Sequence, residues 1–250
     1  MTALDVILLA VAGAAAGIAG TAGAITSLVS YPALLAVGVP ALPANIANIV
    51  ALVACWPGAA LASRPELQGR ALWLRRWALV AAAGGAIGAA LLLVTPSAAF
   101  SRVVPFLIVA GSLALILQPW LSSLHRRDGQ ANSPVLFAGL LAMSAYNGYF
   151  GAGSGVMLLS LLLLTVDSHL ARANALKNML LGATSVVSAV IFIACGPVDW
   201  AAAAPLATGM FAGSLVGPRI ARNLPATALR WIVAVAALGL AARLWVDPVR

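Results

Sequence analysis

Two stretches carry polar groups where the surrounding chain is almost wholly apolar. From Tyr146 the sequence reads Tyr-Asn-Gly-Tyr-Phe-Gly-Ala-Gly-Ser-Gly, then an apolar run, then Asp-Ser-His-Leu-Ala-Arg-Ala-Asn-Ala-Leu-Lys-Asn up to Asn178. A weaker copy lies in the first half: Gly17, Gly20 and Gly23 around Thr21, an apolar run, then Pro43-Ala-Asn45-Ile-Ala-Asn48. Glycine permits backbone shapes that other residues avoid. A helix broken at Gly20–Gly23 or Gly151–Gly155 would turn unpaired N–H groups toward the interior, and the helix dipole would add positive potential there. Thr21 and Ser154 add hydroxyls at the two breaks. That is chemistry for holding an anion.

Carboxamides follow each break. Asn45 and Asn48 are three apart, and Asn174 and Asn178 four apart, so each pair shares one helix face. In hydrocarbon such amides need partners and should turn inward. Tyr146 and Asn147 could line the same space. Lys177 either supplies the positive field that draws an anion in or snorkels to the surface. The expected substrate contacts are therefore Gly20, Thr21, Gly23, Asn45, Asn48, Tyr146, Asn147, Gly151, Gly153, Ser154, Asn174, Lys177 and Asn178. The bland alternative is that the glycines only allow close helix packing and the amides only bond neighbouring helices. Packing is the better reading for Gly84/Gly88 and for Gly209/Gly213/Gly217, whose spacing of four suits helix contact. The latter set could serve a homodimer face or internal packing.

The elements that must position these residues are membrane helices. The chain of 250 residues is 63% hydrophobic and 8% charged, with mean hydropathy +1.05. Apolar runs of about 20 residues span a bilayer. The net charge of +8 does not indicate nucleic acid, because Lys and Arg fall between apolar runs as membrane orientation requires. Cys55, Cys195, His125 and His169 are too few and too scattered for a metal site, and nothing asks for a cofactor. The start, Met-Thr-Ala-Leu-Asp, lacks the basic region of a signal peptide, so the first apolar run is expected to belong to the mature protein. Asp5, Glu66, Asp128, Asp167, Asp199 and Asp247 all fall at predicted ends or loops. Proton and sodium pumps usually keep acids inside their spans. Facilitated anion movement, or coupling through a proton carried by the substrate, is the expectation. An anion channel, or a membrane scaffold with no transport, would share the composition. An intramembrane serine protease would need a helix-borne His near Ser154, and His169 lies in a predicted loop.

The chain divides at a polar linker, residues 120–133, into a first repeat (1–119) and a second (134–250). Segments 4–36 and 135–166 are the broken ones. Full helices are expected at 42–62, 78–95, 102–119, 170–195, 199–218 and 227–246, with Trp73 and Trp77 as interfacial anchors in the loop before 78. Charge selects the topology. If each broken segment enters and leaves on one side, Arg64, Arg70, Arg75, Arg76, Arg126, Arg127, Arg172, Lys177, Arg219, Arg222 and Arg230 share one face. Only Arg102, Arg243 and Arg250 take the other. That asymmetry marks the cytoplasm. The fold class is an all-α integral membrane protein of two inverted repeats. Each repeat holds a Gly-broken re-entrant half-helix pair, of about 15 residues per arm, and three full transmembrane helices.

These motifs, Gly17-x-x-Gly20-x-x-Gly23 with Ala-Asn45-x-x-Asn48 and Pro57-Gly58, then Tyr-x-Gly148-Tyr-Phe-Gly-Ala-Gly-Ser-Gly155 with Ala-Asn174-Ala-Leu-Lys-Asn178 and Gly-Pro-Val-Asp199-Trp, resemble the TauE/SafE family. The likeness covers nearly the whole chain. It departs in the first repeat, where Ala22 and Ala24 stand in a stretch that is often richer in glycine. The resemblance implies a multi-pass protein of the bacterial cytoplasmic membrane that moves sulfite, sulfoacetate or other organosulfur anions.

Overall fold

The computed structural model describes residues 1–123 and 133–221. Most of the linker and the helix expected at 227–246, with Arg222, Arg230, Arg243 and Arg250, lie outside the described residues. Among the described residues eleven helices follow in order: α1 (Ala3–Gly23), α2 (Thr26–Ala36), α3 (Ala41–Leu52), α4 (Cys55–Ala62), α5 (Arg64–Leu67), α6 (Ala71–Val94), α7 (Ser97–Ser123), α8 (Ser133–Tyr149), α9 (Ser154–Thr165), α10 (Leu170–Cys195) and α11 (Trp200–Ala221). No strand occurs among the described residues. Among the described residues, five stretches are long and apolar enough to cross a bilayer: α1, α3 with α4, α6, α10, and Trp200–Arg219 of α11. Their outer faces are apolar too. Ile7, Val11, Leu72, Leu79 and Val190 are all exposed, while Asn45, Asn48 and Lys177 are buried. That inside-out distribution suits lipid as solvent.

Both expected broken segments are interrupted. The first break falls at Ala24–Ile25, just past the predicted Gly20–Gly23, and Ala24 takes a left-handed backbone (φ 65°) there. The second falls at Phe150–Gly153, with Gly151 (φ +87°) and Gly153 (φ +80°) supplying the left-handed turns. Gly155 belongs to the first turn of α9. The arms are less equal than expected. With 11 and 12 residues, α2 and α9 reach only about 17–18 Å. At 21 residues α1 reaches about 31 Å, a full hydrocarbon thickness. Half-helix length thus holds for the second arms and not for α1.

Other boundaries shift as well. Expected as one helix, 42–62 is α3 and α4 with a turn at 53–54. The next helix begins at Ala71, so Trp73, Arg75, Arg76 and Trp77 sit on its first two turns and not in a loop. Trp77 is buried, its ring 6.0 Å from that of Trp73 and faced by the Arg76 guanidinium at 5.7 Å. It is a packing residue, not an interfacial anchor.

Glycine lets helices from opposite halves touch. Along α1 and α11, a Cβ at Gly13 or Gly17 would collide with the carbonyls of Leu206 or Met210. One at Gly209 or Gly213 would collide with those of Ala10 or Ala14. The Gly209/Gly213 face is therefore spent on α1 inside the chain. Likewise α6 packs on α8, where a Cβ at Gly84 would lie 2.7 Å from the Leu141 carbonyl and one at Gly148 would lie 2.5 Å from that of Gly85. The first arm of each broken pair thus lies against a helix of the other half.

An ion cluster joins the halves at one end. Asp167, between α9 and α10, accepts from Arg172 Nε (2.7 Å) and Nη2 (3.1 Å), from Arg70 Nη2 (2.9 Å) and from the His169 amide (3.0 Å). Burial alone would raise its carboxyl pKa. The Arg172 and His169 hydrogen bonds, with the charges of Arg172 and Arg70, outweigh that and hold it below the usual carboxylate range.

Two outcomes follow from this packing. Gly209→Ala should force α1 and α11 apart and cost about 1–3 kcal/mol, read as a lower melting temperature in detergent. Asp167→Asn should cost about 2 kcal/mol at pH 7, discounted for the half-exposed arginines. Because the folded carboxyl titrates below its unfolded value, that stabilisation is present above the unfolded pKa and disappears as pH falls through the folded one. The parent and variant melting curves should therefore converge in acid and separate toward neutrality.

Candidate functional site

A cavity of about 50 Å³ opens between the two breaks. It has room for a few water-sized particles or one small oxyanion. Gly20, Thr21 and Ala24 line it from the first break, with Thr26 and Ser27 from the start of α2. Asn147 and Gly151 line it from the second break, with Ser154 and Gly155 from the start of α9. Lys177, Asn178, Leu181, Gly182 and Ser185 of α10 form another wall, and Leu52, Cys55, Trp56 and Ala59 complete it.

Chain geometry explains the convergence. A Cβ on Gly155 would lie 2.7 Å from the Ala24 carbonyl, so the two breaks are in direct contact. On Gly153 a Cβ would lie 2.5 Å from the Gly111 Cα, which fixes the second break against α7. Phe150 is clasped by Tyr31 (ring centroids 5.3 Å apart) and Phe100 (6.1 Å). Neither α2 nor α9 has a side-chain cap. Both short helices start at the cavity, so their positive dipole ends bear on it.

Seven of the thirteen residues expected at a site surround this one space: Gly20, Thr21, Asn147, Gly151, Ser154, Lys177 and Asn178. The other six stand beside it. The Tyr146 hydroxyl donates to the Ala152 carbonyl (2.8 Å) and braces the second break. Gly23 ends α1, and Gly153 is the N-cap of α9. Asn48 lies among serines, accepting from Ser30 Oγ (2.5 Å) and donating to Ser27 Oγ (3.1 Å). Asn45 donates across the halves to the Tyr149 carbonyl (2.8 Å), the last residue of α8. In the reverse direction, Asn174 (2.8 Å) and Asn178 (3.3 Å) donate to the Thr21 carbonyl in the last turn of α1.

Lys177 is 1% exposed. Its ammonium donates to the Gly20 carbonyl at 3.1 Å. The snorkelling alternative therefore does not apply: the side chain turns inward to the negative end of the α1 dipole. Among the described residues no carboxylate lines the cavity, and Lys177 is the one basic side chain on its wall. Asn147 is 3% exposed. Its Oδ1 accepts from Ser154 Oγ at 2.7 Å, while its Nδ2 has no partner among the described residues. Ser154 Oγ lies equally close to the Gly151 carbonyl (2.7 Å), so its one hydrogen is shared between two acceptors and the Asn147 carboxamide keeps one polar atom free at the cavity in either orientation.

Sequence reasoning missed Ser27, Thr26, Ser185, Cys55 and Trp56. Ser27 had a legible signal, since it follows the first break much as Ser154 follows the second. Trp56 and Cys55 had none, because a Trp or Cys inside an apolar helix reads as core. Replacing Gly153 tests the geometry. Gly153→Ala meets both an unfavourable φ and the α7 backbone, so it should lower stability by about 2–3 kcal/mol. Gly139→Ala would meet only the flexible Leu161 side chain and should cost less in the same melting assay.

Comparison with known proteins gives a consistent picture. The profile of a family described as "Sulfite exporter TauE/SafE" matches residues 6–244. A "Probable membrane transporter protein ORF9" of Sinorhizobium sp is 27% identical over 68% of this chain and 66% of its own length. A "Probable membrane transporter protein" of Haemophilus influenzae is 27% identical over 76% of each. "Probable membrane transporter protein YfcA" of Escherichia coli K12 is 25% identical over 66% of this chain and 61% of its own. The matched region thus spans roughly two thirds of these relatives. No solved structure matches the chain.

Proposed function

Because the chain belongs to the sulfite exporter TauE/SafE family of membrane transporters, we propose that it carries a small sulfur-containing anion, such as sulfite or an organosulfonate, by alternating access around the cavity between the two breaks. The observation that carries this reading is the meeting, at one cavity, of the buried Lys177 and the uncapped starts of α2 and α9. The wall also holds the carboxamides of Asn147 and Asn178 and, among the described residues, no carboxylate. Such a wall stabilises an oxyanion and penalises a cation. Thr21, Thr26, Ser27 and Ser185 add hydroxyls. Export is the direction that the family's description suggests, and the bacterial inner membrane is the expected location.

The exchange of partners between halves supports two inverted repeats, residues 1–119 and 134–250, joined by the linker 120–133. The pairing of α1 with α11 has its counterpart in α8 with α6. Asn45 capping α8 has its counterpart in Asn174 capping α1. Inverted repeats give two equivalent arrangements of one contact set, which is what access from alternate sides requires. The substrate would move by rocking of one half against the other, with both breaks held at its centre.

Purified protein in liposomes, loaded in turn with sulfite, thiosulfate, sulfoacetate and sulfate, gives the direct measurement. Saturable flux of at least one sulfur anion is expected; passage of none of the four would end the proposal. Lys177→Gln retains a donor for the Gly20 carbonyl and removes the charge. It should raise the apparent half-saturation at least about tenfold, the equivalent of 1.4 kcal/mol, with a melting temperature near that of the parent. Asn147→Leu should do the same through loss of its carboxamide at the cavity wall.

A further inference from the structure

The face of α6 that turns away from the bundle is apolar except at one level. Leu72, Leu79, Ile87 and Val94 are exposed along it, Leu72 at 81% and Leu79 at 73%. Steps of four and then three residues put Arg76 on the line between Leu72 and Leu79, with Arg75 beside it. Both arginines are exposed. Two charges are therefore set into a lipid-facing stripe, with an exposed leucine one turn to either side.

Nothing in the protein neutralises them among the described residues. The ion pairs there belong to Asp167, which is taken by Arg70, Arg172 and His169. The Arg76 guanidinium is instead steadied by the buried Trp77 ring, 5.7 Å away. Depth is set by the helix itself. From Trp77 to Val94 the sequence carries no charge and runs about 27 Å, close to the hydrocarbon thickness. The arginines thus stand at the boundary between acyl chains and headgroups. Helical side chains lean toward the N-terminus, so both reach toward the headgroups and lay their stems over apolar surface. The start of α6 has no side-chain cap, and its dipole adds positive potential at the same end.

We propose that Arg75 and Arg76 form a binding site for an anionic phospholipid. The guanidiniums take the headgroup phosphate, which matches their paired donors, and the acyl chains lie along Leu79, Ile87 and Val94. A choline headgroup would bring its own ammonium to a place that already holds two cations and a helix start, so the net charge of the lipid decides. The opposite side of α6, at Gly84 and Gly88, is spent on α8, so lipid and helix partner do not compete. The site stands apart from the cavity and does not depend on what the cavity carries.

Native mass spectrometry of the detergent-solubilised full chain, titrated with phosphatidylglycerol or phosphatidylcholine of the same acyl chains, tests it. Phosphatidylglycerol should be retained saturably and at least about tenfold more tightly. Equal retention of the two would overturn the site. Arg76→Gln should cost about fivefold of that preference, and Arg75→Gln with Arg76→Gln nearly all of it. The melting temperature in phosphatidylcholine should stay near that of the parent. If the double variant fails to fold, the single one decides, and full preference in either would overturn the location. Arg102→Gln, at an exposed arginine of α7, should leave the preference intact. An equal loss there would reduce the effect to overall charge and overturn the location. Excess glycerol phosphate should not displace the lipid; displacement would make a free phosphate ester the ligand and overturn the lipid assignment.

Discussion

Ending a helix inside a bilayer leaves up to four carbonyls without donors, each costing several kcal/mol in hydrocarbon. The end of α1 is the place where this chain meets that cost most fully. Three side chains of α10 reach its last turn, two as amides and one as an ammonium. Their donors offset the open carbonyls, and the ammonium sits where the helix dipole is negative. Neither partner is stable there without the other. A buried lysine needs an acceptor and a favourable potential; a broken helix needs donors. The cavity exists because this pairing lets the backbone stop short at Ala24 without exposing itself to lipid.

The same contact explains why the halves are woven together. Donors for each broken end come from the opposite half, Asn174 for α1 and Asn45 for α8. Glycine faces then draw α1 onto α11 and α8 onto α6. Without a hydrophobic force between helices in lipid, close backbone contact and interhelical hydrogen bonds are what hold such a bundle. A motion that moved one half relative to the other would have to preserve these caps or exchange them for others. The Asp167 cluster with Arg70 and Arg172 ties the halves at one end.

Charge gives the site its character. An interior wall with one buried lysine, several hydroxyls, two helix starts and two carboxamides favours negative guests. The family relationship fits a membrane transporter, and no residue of the cavity specifies sulfur chemistry by itself.

Composition and spacing by themselves determined an all-helical membrane chain, two interrupted segments, and Asn174, Lys177 and Asn178 on a helix beginning at 170. Apolar run length and glycine clustering are local properties, and lipid admits few backbone solutions. Local signals also misled. Glycine at 20 and 23 suggested a break among them, yet α1 continues to Gly23 and turns at Ala24, because Gly17 and Gly20 are needed for packing against α11 and Thr26. Only the tertiary structure decided which amides face the cavity and which cap the other half. Spacing of three or four fixes a helix face, but what stands opposite that face comes from residues over a hundred positions away. It was likewise the packing, not the pattern, that turned Lys177 inward, since a lysine two turns into a helix can reach either the surface or a helix end, and here the Gly20 carbonyl, which also accepts the Ala24 amide, was within reach.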